Sequence, residues 1–453
     1  MIKEELDFSG TSIINRWRGG KKFKTAAERF FNNPKVKLSE LREEMTKKCS
    51  DAEIRGHVLV LQDTTELNYN SHNGLLKVND PDLGVISDNR STGFMVHPGL
   101  AVEASSGIPY GICGVDMWER RFGAPSGKER NYSQQPIEEK ESYKWLSVAS
   151  QSKSNMVLAE LTIVGDREND IYEYFCRIPD ERTHLLVRSS WNRKLSDGSL
   201  LCEHLGNMDW GGTFDLEIRG NLKRTARKAK MDVRWIRVEI AKPNSRKKIL
   251  SEYPDSRSLY VVELKENPES VPSGEKPIYW RLFTTHAIDS LSEAIEVARW
   301  YGFRWWIEDF FRILKTQGLE IERSQLGTGL ALKKLVMLCL EQALRILLLR
   351  QARNLGKNHP ADMCFSTYEQ QCMAMMNKEL EGSTVRQKNP HAAYSLSWAV
   401  WIIARIAGWT PAELSKRPPG VITLARGLKF FNQQYNGWKN ALVYLNQINK
   451  PDT

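Results

Sequence analysis

Length, composition and charge limit the classes of protein that this chain can be. It has 453 residues, 41% of them hydrophobic, and a formal net charge of +10. A chain of that length and apolar content predicts roughly two to four folded units and excludes a disordered protein. A mean hydropathy of -0.48, without an unbroken apolar run of membrane-spanning length, predicts a soluble protein with no membrane partner.

The cysteines and the N-terminal segment indicate the compartment in which the protein works. Seven cysteines are widely scattered and none forms a CxxC pair, which argues against a disulfide framework and against a zinc site. The first residues, MIKEELDFSG, include acidic side chains and no apolar stretch, so the sequence predicts no secretory signal. We therefore expect a cytoplasmic protein.

Basic residues are concentrated in two stretches. Residues 1–50 contain 12 Lys or Arg and 7 Asp or Glu, and Arg219–Arg237 contains 8 basic residues opposed only by Asp232. Most such stretches are simply solvated surfaces, but phosphate binding is the commonest function among those that have one. The second stretch, which includes Arg224 and Arg227, is therefore a candidate contact for a DNA backbone.

In chain order, the pattern predicts helices, then strands, then an alternation of the two. Residues 20–50 are helical in period around a turn at Asn33-Pro34. From His57, the apolar run HVLVLQD and the hairpin-like GLAVEASSGIPYGICGVDMW predict strands. The strand-like LTIVGD and THLLVRSS then alternate with helical segments. This order predicts an α/β fold in which helices cover a mixed sheet.

The remaining sequence predicts an insertion and two helical regions. Alternating, basic β segments follow about residue 191, and helical patterns return near Asp289, where Ser290 and Glu293 form a capping box. The predicted regions are an N-terminal helical DNA-binding region, 1–50; the α/β core, 51–190 and 284–352; an inserted β-rich subdomain, 191–283; and a C-terminal helical region, 353–453.

One predicted helix carries a stripe of polar side chains. In YGFRWWIEDFFRILK, the residues Tyr301, Arg304, Glu308 and Lys315 fall on one side at about 100° per residue. The opposite side is apolar and is predicted to face the core through Phe303, Trp306, Ile307, Phe310 and Leu314. On spacing alone, the polar stripe is typical of a solvated face with an Arg304–Glu308 ion pair.

Three carboxylates that are far apart in the sequence are candidates for one site. Asp63 ends the run VLVLQD and Asp166 ends TIVGD, so both are expected at strand ends. Each alone is typical of an Asp that caps the following turn or helix. Together with Glu308, they supply the oxygen ligands that hard divalent cations need. Two such ions can stabilise both the attacking and the leaving oxygen of a phosphoryl displacement.

The spacing of Tyr301, Arg304, Glu308 and Lys315 resembles the YREK signature of the DDE transposases of bacterial insertion sequences, insertion-sequence family four. The boxes DTTELNY, EKESYKWL, GDRENDIYEY, LLVRS and RPPGVITLARGL extend the resemblance, in the same order, over about residues 25–440. The resemblance implies a ribonuclease H-like catalytic core and a protein that cuts and joins DNA.

The resemblance also implies a role for each motif residue. Asp63, Asp166 and Glu308 would be the catalytic triad and would bind two Mg²⁺ or Mn²⁺ ions; the side chain of the neighbouring Asp309 projects elsewhere on the helix. The residues that would contact transposon-end DNA near the cleaved phosphate are Tyr301, Arg304, Lys315, Arg167 and Arg188. Trp280 matches an aromatic that stacks on a base flipped out during hairpin formation.

The partners implied are double-stranded DNA, as transposon ends and as target, and a second copy of the chain. Residues 353–453 would pair two subunits in the DNA complex. A core within one chain is an equal alternative for the tryptophans of that region, Trp398, Trp401, Trp409 and Trp438. No small-molecule substrate is expected, and the protein would be cytoplasmic and associated with the nucleoid when bound to DNA.

Three functions stay open from the sequence. The first is an active cut-and-paste transposase, which the intact triad favours. The second is a silent or inhibitory relative that binds ends or dimerises, because the N-terminal region is shorter than in the family and retains only NRWRGGKKFK of its first basic helix. The third is a metal-dependent DNA nuclease of the same fold.

Overall fold

The computed structural model describes residues 2–17, 20–123, 135–218, 220, 224–246, 249–353, 359–410 and 418–448. The N-terminal part forms three helices, α1 (Ile2–Ser9), α2 (Gly20–Asn32) and α3 (Leu38–Asp51). The predicted turn at Asn33-Pro34 separates α2 from α3, as expected. Phe31 of α2 is fully buried in the main core, so these helices pack against the rest of the chain.

Seven strands and two connecting helices make up the centre of the molecule. The first strands are β1 (Gly56–Gln62), β2 (Thr65–Asn68), β3 (Gly84–Val85), β4 (Thr92–Glu103) and β5 (Pro109–Trp118). They are followed by α4 (Tyr143–Asn155), β6 (Ala159–Gly165), α5 (Tyr172–Arg177) and β7 (Thr183–Arg188).

The order of the central strands identifies the fold. Strands β5, β4 and β1 are neighbours and antiparallel, and β6 and β7 lie on the other side of β1, parallel to it. Both faces of β1 are buried, because Val58 and Val60 belong to one apolar cluster and Leu59 and Leu61 to another. Three antiparallel strands followed by two that run parallel to the first form a ribonuclease H-like core. The predicted α/β fold is confirmed.

The predicted β-rich insertion does not form a sheet of its own. It contains α6 (Leu201–Gly206), β8 (Gly212–Ile218), β9 (Arg227–Ala241), β10 (Ser256–Glu266) and β11 (Tyr279–Thr284). Strand β11 pairs antiparallel with β7, and β10, β9 and β8 follow it outward. The described strands therefore form one continuous sheet of eleven.

Helices complete the chain, and the first three of them pack against the sheet. They are α7 (Leu291–Gly302), α8 (Trp305–Arg312), α9 (Gly329–Ala352), α10 (Thr367–Leu380), α11 (Leu396–Ile406) and α12 (Val421–Ile448). The capping box of Ser290 and Glu293 begins α7, as predicted. None of the helices in the described ranges has both the length and the apolar character needed to cross a membrane.

Helix α9 is largely buried, and its few charges are used to bind neighbouring helices. Glu341 accepts hydrogen bonds from Lys48, at 3.0 Å, and from Lys3, which attaches α3 and α1 to it. Arg345 donates to Glu369 of α10 at 2.6 Å. In the C-terminal region, Trp398 and Trp401 are buried and Trp409 and Trp438 are partly buried against the same core. These tryptophans serve a core within one chain.

The polar stripe is carried by two helices and not by one. Helix α7 ends at Gly302, α8 begins at Trp305, and a π-helical turn, Ile313–Gln317, follows α8. Between α7 and α8, the amide of Arg304 donates to the carbonyl of Tyr301, an i to i-3 bond that tightens the backbone. The apolar side is buried as predicted through Trp306, Ile307, Phe310 and Leu314, with Phe303 packed against it.

Candidate active site

The register of β1 and β6 brings two of the predicted carboxylates to the same level. Leu61 of β1 is paired with Val164 of β6, so two residues further on Asp63 and Asp166 lie at the carboxyl ends of adjacent parallel strands. Side chains two residues apart share one face of a sheet, so both follow Leu61 and Val164 onto the face covered by α7 and α8. The prediction that both lie at strand ends is confirmed.

Arg304 joins Asp63 to the third carboxylate. Its Nη1 donates to Asp63 Oδ2 at 3.0 Å, and its Nη2 donates to Glu308 Oε1 at 2.5 Å. The side chain of Arg304 is largely buried, and its position between α7 and α8 directs the guanidinium across the strand end. The Arg304–Glu308 ion pair expected of a solvated face is present. Arg304 also bonds a second carboxylate, that of Asp63 at the end of a strand.

The charges around Asp63 include both of the other carboxylates. The pKa of Asp63 is raised to about 6, chiefly by burial, which Arg304 opposes and to which the negative charges of Asp166 and Glu308 add. Burial also raises the pKa of Asp166, which Arg304 opposes. The single positive charge of Arg304 does not balance the three negative charges of the carboxylates. Additional positive charge among them would therefore be stabilising.

Both aspartates also perform the capping role that each alone suggested. Asp166 Oδ1 accepts a hydrogen bond from the amide of Glu168 at 2.8 Å, and Asp63 Oδ1 accepts one from the amide of Thr64 at 2.8 Å. These bonds engage one oxygen of each carboxylate and fix its orientation. The capping and the site-forming interpretations are therefore compatible.

Asp309 is separated from the site, as the helical geometry predicted. It is buried and accepts a hydrogen bond from Arg312 at 2.9 Å, and it also pairs with Arg350 of α9. Glu308, one residue earlier, remains directed at Arg304 and Asp63. The choice of Glu308 over Asp309 as the third carboxylate is thus consistent with the side-chain directions.

Two of the predicted DNA contacts are buried in this structure. Tyr301 is 3% exposed, and its ring packs edge-on against Trp280 with ring centroids 5.0 Å apart. Trp280 is 8% exposed because β11 lies between β7 and β10 and α7 covers its face. The prediction that Trp280 is available to stack on a flipped base is therefore wrong here, and Tyr301 does not offer a surface to DNA.

Arg188 and Arg167 lie next to the carboxylates. Arg188 donates to the backbone carbonyl of Tyr279 at 2.8 Å. Burial lowers the pKa of Arg188, Tyr301 opposes this, and the positive charges of Arg167 and Arg304 also lower it. Arg167 is exposed and directly follows Asp166. The basic residues predicted near the site are therefore beside it.

Lys315 lies at the far end of the stripe on the π-helical turn. Its Nζ is 3.5 Å from Glu322 Oε1. The same oxygen accepts a hydrogen bond from the amide of Asn68, at the end of β2, at 2.9 Å. Lys315 is half-buried and is held near β2, the strand that begins two residues after Asp63.

The basic stretch in the insertion is partly neutralised within the chain. Arg227 donates to Glu266 at 2.7 and 2.8 Å and to Glu275 at 2.7 Å, and its side chain is 9% exposed. These ion pairs disfavour the predicted contact of Arg227 with DNA, because two carboxylates from neighbouring segments already bind its guanidinium. Arg224 forms no ion pair within the described part of the chain, and it stays a candidate. Arg219 and Lys223 lie outside the described residues.

Two exposed aromatics near the site were not identified from the sequence. Trp305 is 42% exposed, and its ring lies 5.6 Å from the guanidinium carbon of Arg304. Trp191 lines a cavity of about 990 Å³ that also includes Asp170, four residues after Asp166, and the side chains of Lys140 and Lys194. The available signals were the position of Trp191 two residues after LLVRS and that of Trp305 directly after the arginine of the stripe.

One family model and one solved structure are similar to this chain. Residues 146–340 match the family model of the transposase DDE domain. This match supports a DDE transposase. The matched segment begins in α4 and ends in α9, so it contains Asp166 and Glu308. Among solved structures, a cryo-EM structure of the piggyBac transposase synaptic complex with hairpin DNA is similar over 90% of this chain and 73% of that chain, at 11% identity and a TM-score of 0.37.

Proposed function

We propose that this chain is a DDE transposase of insertion-sequence family four, which cuts and joins DNA at a single site formed by Asp63, Asp166 and Glu308. The observation that supports it best is the convergence of these carboxylates: two follow paired parallel strands, and Arg304 bonds the third to the first. The match of residues 146–340 to the transposase DDE domain supports the same function.

The donor set fits the expected metal ions. Asp63, Asp166 and Glu308 offer only carboxylate oxygens, and their mutual repulsion favours added positive charge. They would hold two Mg²⁺ or Mn²⁺ ions, which would supply stabilisation of the charge that develops on the attacking and leaving oxygens. The chain's own contribution is to hold the three carboxylates at one level and to orient two of them through backbone hydrogen bonds.

The arginines beside the carboxylates would bind the phosphate that is cut. Arg304, Arg188 and Arg167 form one positive group next to Asp63 and Asp166. Guanidinium groups match phosphate oxygens in geometry and charge, so they would position the backbone without reading its sequence. Tyr301, which is buried beside Arg304 and Trp280, would position Arg304 and would not contact DNA itself.

The reaction series proposed is cut-and-paste transposition. Water attacks the phosphate at a transposon end, and the released 3′-hydroxyl attacks the opposite strand to give a hairpin. The hairpin is opened, and the 3′-hydroxyl then attacks target DNA. Each step is a phosphoryl displacement, so one set of carboxylates can serve all of them. The partners would be double-stranded DNA and a second copy of the chain, paired through residues 353–453, in the cytoplasm.

The experiment that tests this function uses DNA from both sides of the gene. The purified chain is incubated with a duplex that carries those flanks, a supercoiled target plasmid and Mg²⁺. A transposase should release the flanked segment and join its 3′ ends to the plasmid. Cleavage without joining would indicate a nuclease, and DNA binding without cleavage would indicate a silent relative; either result would contradict the proposal.

Trp305 should matter for hairpin formation, because it is the exposed aromatic beside Arg304. Stacking of a base on an aromatic ring contributes about 1–3 kcal/mol. Trp305→Ala should therefore slow hairpin formation by roughly 5- to 150-fold and leave the first nick nearly unchanged. Trp280→Ala should instead lower the free energy of unfolding by about 3–5 kcal/mol, the cost of truncating a buried Trp. Equal hairpin yields from wild type and Trp305→Ala would refute the role.

The exposed cations near the site should determine how DNA affinity depends on salt. Each Lys or Arg that neutralises a phosphate releases counterions, so Arg167→Ala or Lys194→Ala should lower the slope of log affinity against log salt by about one unit. Arg227→Gln should leave the slope unchanged, since Glu266 and Glu275 already bind Arg227. The slope is measured by fluorescence anisotropy with labelled duplex, and a larger effect of Arg227→Gln would contradict the assignment.

A further inference from the structure

A second group of metal-ligating side chains lies outside the carboxylate site. It contains His57, Glu160 and His286, whose ligand atoms all lie within 4.8 Å of one another. His184 adjoins them, with its Nε2 3.7 Å from Glu160 Oε1 and its ring stacked on that of His286 at a centroid distance of 3.9 Å. We call these four residues the histidine cluster.

Strand register brings the histidine cluster together. His57 of β1 is paired with Glu160 of β6, and Thr162 of β6 is paired with His184 of β7. Glu160 and Thr162 are two residues apart, so their side chains share one face of the sheet. His286 reaches the same place because it follows β11, which is paired with β7. The cluster is thus a consequence of the fold and not of one flexible side chain.

A buried hydroxyl fixes two of the imidazole rings. Thr162 Oγ1 lies 2.7 Å from His57 Nε2 and 2.6 Å from His286 Nε2. A hydroxyl has one proton, so it donates to one of these rings and accepts from the other. Imidazole nitrogens are common ligands of transition-metal ions.

The surroundings of the cluster are closed on one side and open on the other. Trp300 of α7 packs against His57 and His286 with ring centroids 4.6 and 4.9 Å apart, which excludes water from that side. The side chain of Glu160 is 50% exposed, so an ion has a path from solvent. The exposed carboxylate can also move, whereas the imidazoles are held in place.

We propose that the histidine cluster is a Zn²⁺ site. His57, His286 and Glu160 would bind the ion, and a water molecule would be the fourth ligand; His184, whose ring stacks on that of His286, would hold this ligand in place. Imidazole nitrogens with one carboxylate suit Zn²⁺, whereas Mg²⁺ requires oxygen ligands. Zinc–nitrogen bonds of about 2.0–2.1 Å require the ligands to be closer together than they are now. The half-exposed Glu160 is the ligand that moves inward when the ion binds.

The zinc ion would have a structural role. Glu160 and Asp166 are six residues apart on one strand and share a face, so the two sites are separated by about 20 Å. An ion at that distance takes no part in phosphoryl transfer. It would connect β1, β6 and β7 to the segment that returns from β11 to α7, and so fasten the inserted strands to the core. The cysteine pattern argued against a zinc site, but this one is assembled by the sheet from four separate segments.

The first experiment measures zinc binding by the full chain. The protein is stripped of metal with a chelator and titrated with Zn²⁺ by calorimetry in excess Mg²⁺, which occupies the carboxylate site. One Zn²⁺ per chain should bind, and it should raise the thermal midpoint beyond that in Mg²⁺ alone. Co²⁺ in its place should give the visible spectrum of a tetrahedral nitrogen and oxygen site. The chain has free cysteines that could bind Co²⁺ instead. A thiolate-to-metal absorption band would therefore overturn the assignment.

Variants separate the histidine cluster from other sites. Glu160→Gln changes a half-exposed side chain without altering its size, so the fold is retained, and it should weaken Zn²⁺ binding about 10-fold or more. The double variant His57→Ala with His286→Ala should lose the stoichiometric site. His391→Ala, at an exposed histidine elsewhere, should bind Zn²⁺ like wild type. Unchanged Zn²⁺ binding by Glu160→Gln, or by a folded double variant, would overturn the proposal.

Discussion

Asp166→Asn should reduce cleavage of end DNA by about 10³-fold or more while leaving DNA binding nearly intact. Asparagine keeps the side-chain oxygen that accepts the hydrogen bond from the Glu168 amide, so the turn after β6 should be preserved. It removes the negative charge that would bind the catalytic ions, and those ions contribute several kcal/mol to the transition state. Binding is retained because phosphate contacts come from other groups. Asp63→Asn and Glu308→Gln should behave in the same way.

Asp309→Asn provides the matched control for these variants. Asp309 adjoins Glu308 in the chain, but its partners are Arg312 and Arg350. Its substitution should lower the free energy of unfolding and leave the cleavage rate of the folded protein unchanged. Single-turnover cleavage of labelled end DNA, together with gel-shift binding, measures both effects. Cleavage by Asp166→Asn at the wild-type rate would remove this residue from the site.

Arg304→Ala should destabilise the protein in the absence of divalent ions and make it more responsive to them. Arg304 is the only described guanidinium that bonds both Asp63 and Glu308, so its loss leaves two partly buried carboxylates without their partner. Removing one member of such a pair costs about 3 kcal/mol or more. Added Mg²⁺ would compensate the same charges. Denaturant unfolding in chelator should therefore show a large loss of stability, and Mg²⁺ should restore more of it than in wild type.

Arg312→Ala is the control for Arg304→Ala, because Arg312 lies at the other end of α8 and its side chain is about half exposed. Its partner Asp309 retains Arg350, so the free energy of unfolding should change by less than about 1 kcal/mol and should not respond to Mg²⁺. If Arg304→Ala and Arg312→Ala were equally stable in chelator, Arg304 would not be the cation that holds the carboxylates together.

The carboxylates were predictable from the sequence because their signals are local. An apolar run that ends in Asp predicts a strand end, and helical spacing directs Glu308 away from the core. Whether they lie close together depends on one further fact. Strands β1 and β6 are parallel neighbours, and their register places Asp63 opposite Asp166. Pairing and register join residues that are distant in sequence, so periodicity alone does not reveal them.

The sequence patterns did not reveal environments that are made by distant segments. Trp280 was expected to be exposed, but β11 lies inside an extended sheet and α7 covers it. Arg227 was expected to bind DNA, but Glu266 and Glu275 reach it from β10 and the loop after it. The histidine cluster was not predicted, since its residues come from four separate segments. In each case, the local sequence pattern is the same whether or not a tertiary partner exists.

The most direct test of the catalytic site replaces Asp63 with Cys and compares DNA cleavage in Mg²⁺ and in Mn²⁺. Thiolate is a poor ligand for Mg²⁺, and Mn²⁺ accepts softer ligands more readily. If Asp63 binds the catalytic ion, Asp63→Cys should be inactive in Mg²⁺ and should regain cleavage in Mn²⁺, whereas Asp63→Ala should be inactive in both. Equal cleavage by Asp63→Cys in the two ions, or rescue of Asp63→Ala by Mn²⁺, would contradict a metal-binding role for this carboxylate.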